Sequence, residues 1–339
     1  MSIARGGYSL ISVMVMSMFI FSCSSGAATD GAAPGGDAPD GAAPAAEAFT
    51  KGLLARFILL GNGDLLAIVG SETIQVWDVA NHQMLREVGT ALVSVDCNVE
   101  RPSGALDGSR LLVWFSSTSV PGCDAVRVFD THTGAAVGSI DVGASYLLSP
   151  FILAADGLNI VAGGDALATT PNPLDVSLSG AANGTVYPAV AANGVFMGMI
   201  HPAGQRFLTT SDSGTQVWSF GSAVPLFTDP TTMVTYAPDG STVAFYGTSF
   251  DLLRLVSVDT SAQTTLTGIS GPTALLPGGS RYLANDDSLG ATRMLAVDGS
   301  GSPVTVWDQK FLEASFSNDG KRVALLGTDG VTVVVHALK

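Results

Sequence analysis

Cys97 and Cys123 are the side chains in this 339-residue sequence best placed for covalent chemistry. In an exported chain two such cysteines pair as a disulfide, and closing a loop of this length contributes about 3 kcal/mol in the chain-entropy view. The bridge would pin the insertion SSTSVPG, residues 116–122; the alternative is two unpaired thiols. The histidines offer less. His82, His132, His201 and His336 lie far apart and show neither HxxxH nor HxH spacing, so they do not form a metal motif. His82 and His132 follow Asp residues at strand ends, where a polar turn residue is expected. Asp286 and Asp287, in ANDDSLG, carry the oxygens a calcium ion needs, but without alternating ligands along the loop. A solvated loop is the preferred reading. No GxSxG, HExxH, CxxC or GxxxxGK occurs, so no catalytic residue, metal ligand or cofactor is assigned.

The elements that must carry these residues are strands. In AVRVFDTHTGAAVGSIDVG, Val126 and Val128 alternate with Arg127 and Phe129 before the turn DTHTG, in which Asp130 can accept a backbone bond and Gly134 tolerates positive φ. The stretch from Ala125 to Gly157, running on into LNIVAGG, reads as one four-stranded unit. Turns of the same kind recur at Gly63, Gly108, Gly157, Gly204, Gly240, Gly279 and Gly320, a mean step of about 43 residues, which is the length of a propeller blade. The expected fold is all-β: a seven-bladed β-propeller of four-stranded antiparallel blades. The last blade shows only three strands before Lys339. An open edge there would face solvent, so residues 47–51, just before the first blade, are expected to supply the fourth and close the ring.

Composition agrees with strands and turns: there are four Lys and five Glu, residues that helices use on solvated faces, against 40 Gly. The net charge of −14 argues against nucleic acid as a partner, because binding phosphate draws on Lys and Arg. Residues 1–22 read as an export signal, with one charge, Arg5, and an apolar run from Tyr8 to Phe21 too short to span a bilayer. Residues 23–48 lack large apolar side chains and carry four acids and no base, the composition of an extended, disordered tether. The folded domain is expected over 49–339.

Ile20-Phe21-Ser22-Cys23 resembles the lipobox of bacterial lipoproteins, which implies acylation of Cys23; Phe21 is larger than that pattern prefers. Ordinary signal cleavage near Gly26 is the alternative. Ser24 after the cysteine resembles enterobacterial signals that sort to the outer membrane of a Gram-negative cell. The pattern of Val126 to Gly143, with a weaker copy in IQVWDVANHQMLREV, resembles the YVTN and WD-repeat-like bacterial β-propellers; Trp77-Asp78 stands where the WD dipeptide ends a strand, but the Gly-His pair of the eukaryotic repeats is missing. SDSGTQVW, residues 211–218, resembles the sialidase Asp-box with its Trp displaced by one position, and a tight hairpin is preferred. Trp77, Trp114, Trp218 and Trp307 are expected to pack between blades.

Two functions follow. The favoured one is an envelope lipoprotein whose propeller is a binding scaffold, taking a protein or small ligand on one face and meeting the membrane only through its lipid. The other is a periplasmic or surface hydrolase or oxidoreductase with its site at the propeller channel, which would show as several carboxylates or histidines converging there.

Overall fold

The computed structural model describes residues 47–338 except for segments 90–97, 117–124, 142–150, 163–173, 178–181, 187–195, 199–205, 247–251 and 268–272 and a few shorter stretches. Cys23, Cys97, Cys123 and His201, and with them the signal, tether and disulfide readings, lie outside the described residues. No helix among those described is long and apolar enough to cross a membrane.

The chain opens with β1 (Glu47–Thr50) and then lays down successive antiparallel sheets. The first blade holds β2 (Arg56–Leu60), β3 (Leu65–Val69), β4 (Thr73–Asp78) and β5 (Gln83–Gly89). The second holds β6 (Asn98–Val99), β7 (Ser103–Gly104), β8 (Arg110–Ser116), β9 (Ala125–Asp130) and β10 (Ala136–Asp141). β11 (Phe151–Leu153), β12 (Asn159–Ala162), β13 (Leu174–Ser177) and β14 (Ala182–Val186) make the third; β15 (Phe196–Gly198), β16 (Arg206–Ser211), β17 (Gly214–Ser219) and β18 (Phe227–Asp229) make the fourth. The fifth is β19 (Val234–Tyr236), β20 (Thr242–Tyr246), β21 (Leu252–Ser257) and β22 (Gln263–Thr267), and the sixth is β23 (Thr273–Leu275), β24 (Arg281–Asp286), β25 (Ala291–Ala296) and β26 (Val304–Trp307). β27 (Phe311–Phe316), β28 (Arg322–Gly327) and β29 (Thr332–Ala337) complete the chain in a closing sheet of order β1-β29-β28-β27.

This corrects the expectation of seven blades of four strands. Six blades are built wholly from consecutive strands, and the second of them has five, because its inner strand is split into β6 and β7, which both pair with β8. The break falls around Pro102, a residue with no N–H to give to a ladder. The unit read from Ala125 to Gly157 is also divided: β9 and β10 end the second blade, whereas Phe151–Leu153 begins the third. Equal spacing of glycine turns gives the period but not its phase.

First strands of adjacent sheets lie against one another, β2 beside β7 and β27, and β19 beside β23, so they are innermost and the last strands are outermost. The core is a set of apolar layers between neighbouring blades. One joins Leu60, Val76, Val113 and Phe129 of the first two blades; another joins Phe49, Phe57, Leu66 and Leu326 across the closing seam; a third joins Leu283, Phe311 and Val334. Strands covered on both faces read as continuous apolar runs, as in RLLVWFS and RVALLG, whereas outermost β22, QTTLT, is almost wholly exposed. Side-chain bonds add to these layers: Ser315 accepts the Leu59 amide at 3.0 Å and Ser103 accepts the Leu153 amide at 2.9 Å, each joining inner strands of neighbouring sheets.

The ring closes as the sequence requires. β1 pairs antiparallel with β29, from Glu47 opposite Val335 to Thr50 opposite Thr332. Phe49, 2% exposed, stacks on His82 at 4.5 Å and meets Trp77 edge-on at 5.6 Å.

Each sheet presents two ends. At one, inner turns join first to second strands and outer turns join third to fourth; at the other, second strands turn into third strands. The inner turns interlock. The Asn318 amide donates to Gly61 O at 2.9 Å, Arg322 Nη1 reaches Gly63 O and Asp64 Oδ1 at 2.8 Å, and the Gly278 amide donates to Asp239 Oδ2 at 2.7 Å. Gly279 shows why glycine recurs here: φ is +64°, and a Cβ would collide with the Thr242 side chain.

Candidate functional site

The turn carboxylates are engaged in holding their own backbone. Asp130 Oδ1 accepts the His132 and Thr133 amides at 3.0 and 2.8 Å, and hydrogen bonds from Thr133 keep this carboxyl below the usual range. Asp107 is lowered in the same way by Ser109. Asp286, weighed above as a calcium ligand, takes the Ser288 hydroxyl at 2.6 Å and Arg293 at 3.1 Å; these bonds, Ser288 foremost, depress its pKa to about 2. Asp287 pairs with Lys310 at 2.8 Å. The two carboxylates therefore face different partners and do not converge on one point. Among the described residues no group of three or more His, Cys, Asp or Glu is arranged to hold a metal.

His82 is exposed, lies at positive φ and stacks on Phe49; the His132 ring lies 3.4 Å from the Thr131 hydroxyl. His336 differs from the other described histidines in being buried. It sits in VTVVVHAL at a position whose strand neighbours are apolar, 7% exposed, with its ring 6.1 Å from Trp307 and its Nε2 buried without a hydrogen-bond partner. Burial pushes its pKa below the ordinary value, against a smaller opposing pull from Asp308.

The Asp-box-like stretch is a hairpin. Ser211 pairs with Gly214 at the tip, and Gly214 has φ +125°, where an added Cβ would collide with the Asp229 carbonyl. Trp218 is fully buried, donates to Thr209 Oγ1 at 3.0 Å and stacks with Phe207. Trp114 and Trp307 are also buried, and Trp77 packs against the closing layer. The tryptophans fill the inter-blade layers and offer no stacking platform for a sugar.

What remains is a surface at the end of the sheets away from the interlocked turns. There the start of β27 and the turn between β24 and β25 are tied by the Lys310–Asp287 pair and by two bonds between Asn285 and the Phe311 backbone, at 2.9 and 3.0 Å. Leu289 and Leu312, each two residues along the chain from a member of this ion pair, are 61% and 49% exposed. Beside them the inner strands bring Arg56 within 4.0 Å of Glu313. Lys51, 5% exposed, donates to Gly52 O at 3.3 Å, and burial holds its ammonium below the usual lysine range while Glu313 pulls it back up. The patch joins side chains some 260 positions apart, a proximity visible only once the ring has closed. Chemically it is two exposed leucines near the Lys310–Asp287 and Arg56–Glu313 pairs.

No family model and no curated protein matches the chain. Solved structures do. One chain in the crystal structure of the Mitotic Checkpoint Complex is similar at a TM-score of 0.61 with 13% identity, covering 93% of this chain and 99% of its own. The β-propeller domain of Cps50 (Swd1) from Myceliophteria thermophila is similar at a TM-score of 0.59 with 14% identity, covering 86% and 100%. At these identities the likeness establishes architecture, and the chain has the fold of a WD40-like β-propeller.

Proposed function

We propose that this chain is an exported, lipid-anchored binding scaffold of the cell envelope, in which the propeller presents a docking surface to a protein partner. The observation that carries the reading is the use made of its polar side chains. Turn carboxylates cap turns or pair with arginine, and His82 and the tryptophans pack. Leu289 and Leu312, with Leu158, Val224 and Leu226 at the other end of the sheets, are left presenting apolar area to solvent. A similar chain within a multiprotein complex accords with protein docking. The anchor rests on Cys23 and the tether on the composition of residues 24–48.

The test is direct. A cell expressing the full chain is fed an alkyne-bearing fatty acid, and its membranes are sedimented. The parent is expected to carry the label and sediment with membranes; Cys23→Ala is expected to lose both. An unlabelled, freely soluble parent would overturn the anchored reading.

A further inference from the structure

His336 is a titratable side chain enclosed in an apolar layer, and its Nε2 is buried without a hydrogen-bond partner. The register shows what surrounds it. His336 lies opposite Val323 and two residues from Val334, so the three share the face of the closing sheet that meets the sixth blade. From that blade Trp307 comes to 6.1 Å from the imidazole, and its ring reaches across to the end of β28, where a Cβ on Gly327 would stand 3.2 Å from it. Charge is sparse on the elements packed here. Asp308 follows Trp307 and is exposed, and its pull on the imidazole is smaller than the opposing effect of burial. Arg281 shares the face of Leu283 on β24, and Asp298, in the turn before β26, accepts the Ser300 amide at 2.9 Å. On the closing sheet Lys321 pairs with Asp319, and Arg322 turns the other way to Asp64 of the first blade.

A buried cation without a partner is strongly disfavoured, so the ring accepts a proton only where water can reach it. The two strands that enclose it are held unequally. β29 has a ladder on each side, to β28 and to β1. β26 is the last strand of its blade, bonded only to β25 through three pairs with a shift of register, and its Val304 is 52% exposed. The chain beyond β26 is fixed, because Gln309 O accepts the Thr292 hydroxyl at 2.7 Å and Lys310 and Phe311 are tied to Asp287 and Asn285. β26 is therefore the element that can yield. We infer that His336 and β26 form a proton-operated flap: protonation of the imidazole releases Trp307 and β26 from the closing sheet, while the ring of inner strands stays closed. The imidazole binds a proton more readily with the flap open, since burial lowers its pKa when the flap is shut. The closed form thus keeps its full advantage above about pH 6.5 and loses it as pH falls toward the lower value of the enclosed ring. One proton bound only in the open form raises the ratio of open to closed by up to about tenfold for each pH unit.

Peptide-resolved hydrogen exchange on the full chain tests the flap from about pH 7 to about pH 5, each rate being divided by the intrinsic rate at that pH. Peptides covering β26 are expected to lose protection on acidification, by up to about tenfold per pH unit, while those covering β3 and β4 of the first blade keep theirs. His336→Leu, which cannot take up a proton, is expected to hold the β26 rate constant over the same range; should that variant fail to fold, His336→Gln serves for the comparison. Unchanged protection of β26 in the parent overturns the flap. So does an equal loss in the first blade, which is the mark of global unfolding. The same acceleration in a folded His336 variant overturns the assignment to this side chain. A second measurement needs no change at His336: acrylamide quenching of Trp307, taken as the difference between the parent and Trp307→Phe, is expected to rise over the same pH range, and a constant value refutes the release of β26.

Discussion

Phe49→Ala isolates the closing strand, because this one side chain joins a strand of four residue pairs to the neighbouring blade. The ring is 2% exposed and touches both His82 and Trp77. Removing a buried phenylalanine costs about 3–5 kcal/mol, made up of lost transfer energy and the cavity left behind. Collapse is hindered here, since the layer is bounded by backbone ladders on both sides. For a domain of this size about 2 °C is lost per kcal/mol, so the melting temperature should fall by about 6–10 °C. The assay is chemical denaturation followed by tryptophan fluorescence and far-ultraviolet dichroism, with coincident transitions and an unchanged slope. Leu312→Ala, at an exposed position, is the control and should stay within about 0.5 kcal/mol. A loss below about 1 kcal/mol in Phe49→Ala would mean that β1 does not seal the ring. Deleting residues 46–51 should then leave the melt unchanged as well.

His336 should make stability depend on pH. Its folded pKa is depressed by burial, so the unfolded chain takes up a proton as pH falls through about 6.5 while the folded chain resists. Stability should decline below that pH until the folded value is reached, and His336→Leu should flatten this window, measured as denaturation midpoint against pH; an unchanged slope would refute the assignment. Gly279→Ala should cost more than about 1 kcal/mol, since alanine meets both positive φ and the Thr242 side chain; a melt equal to the parent would show that this turn can move. A Cys97–Cys123 bridge predicts no free thiol from either residue when the unreduced protein is denatured and titrated, and a loss of about 3 kcal/mol on reduction. Finding both thiols free would exclude it.

The repeat was legible because each blade spends residues on the same local problem: a tight turn that needs positive φ, then a strand with β-branched residues covered on both faces. Gly63, Gly108, Gly157, Gly279 and Gly320 all show positive φ. Phase was not legible, since nothing local marks which strand of a blade is innermost. Only contacts between β2, β7 and β27, far apart in sequence, reveal it. The closure of β1 on β29 could be anticipated because it follows from an unmatched strand, a matter of counting. The split of the second blade's inner strand could have been suspected from Pro102.

His336 shows the harder limit. Alternation in a strand marks which residues share a face, but both faces of β29 are covered, so a histidine there looks like any polar residue in a half-exposed strand until the neighbouring blade is placed against it. The same reasoning separates the two ends of the propeller. On the turn face, Asp and Gly are demanded by the backbone, so their presence carries information about folding and little about ligands. On the opposite face, the hairpin between β24 and β25 is capped by Asp286, Ser288 and Gly290, which leaves the identity of residue 289 free of any structural demand. A leucine exposed at such a position is tolerated by the fold, as is the exposed Leu312 two residues beyond Lys310. Exposed apolar side chains stand at both ends, Leu158, Val224 and Leu226 in turns of the interlocked face and Leu289 and Leu312 at the other, so exposure alone does not select a docking face.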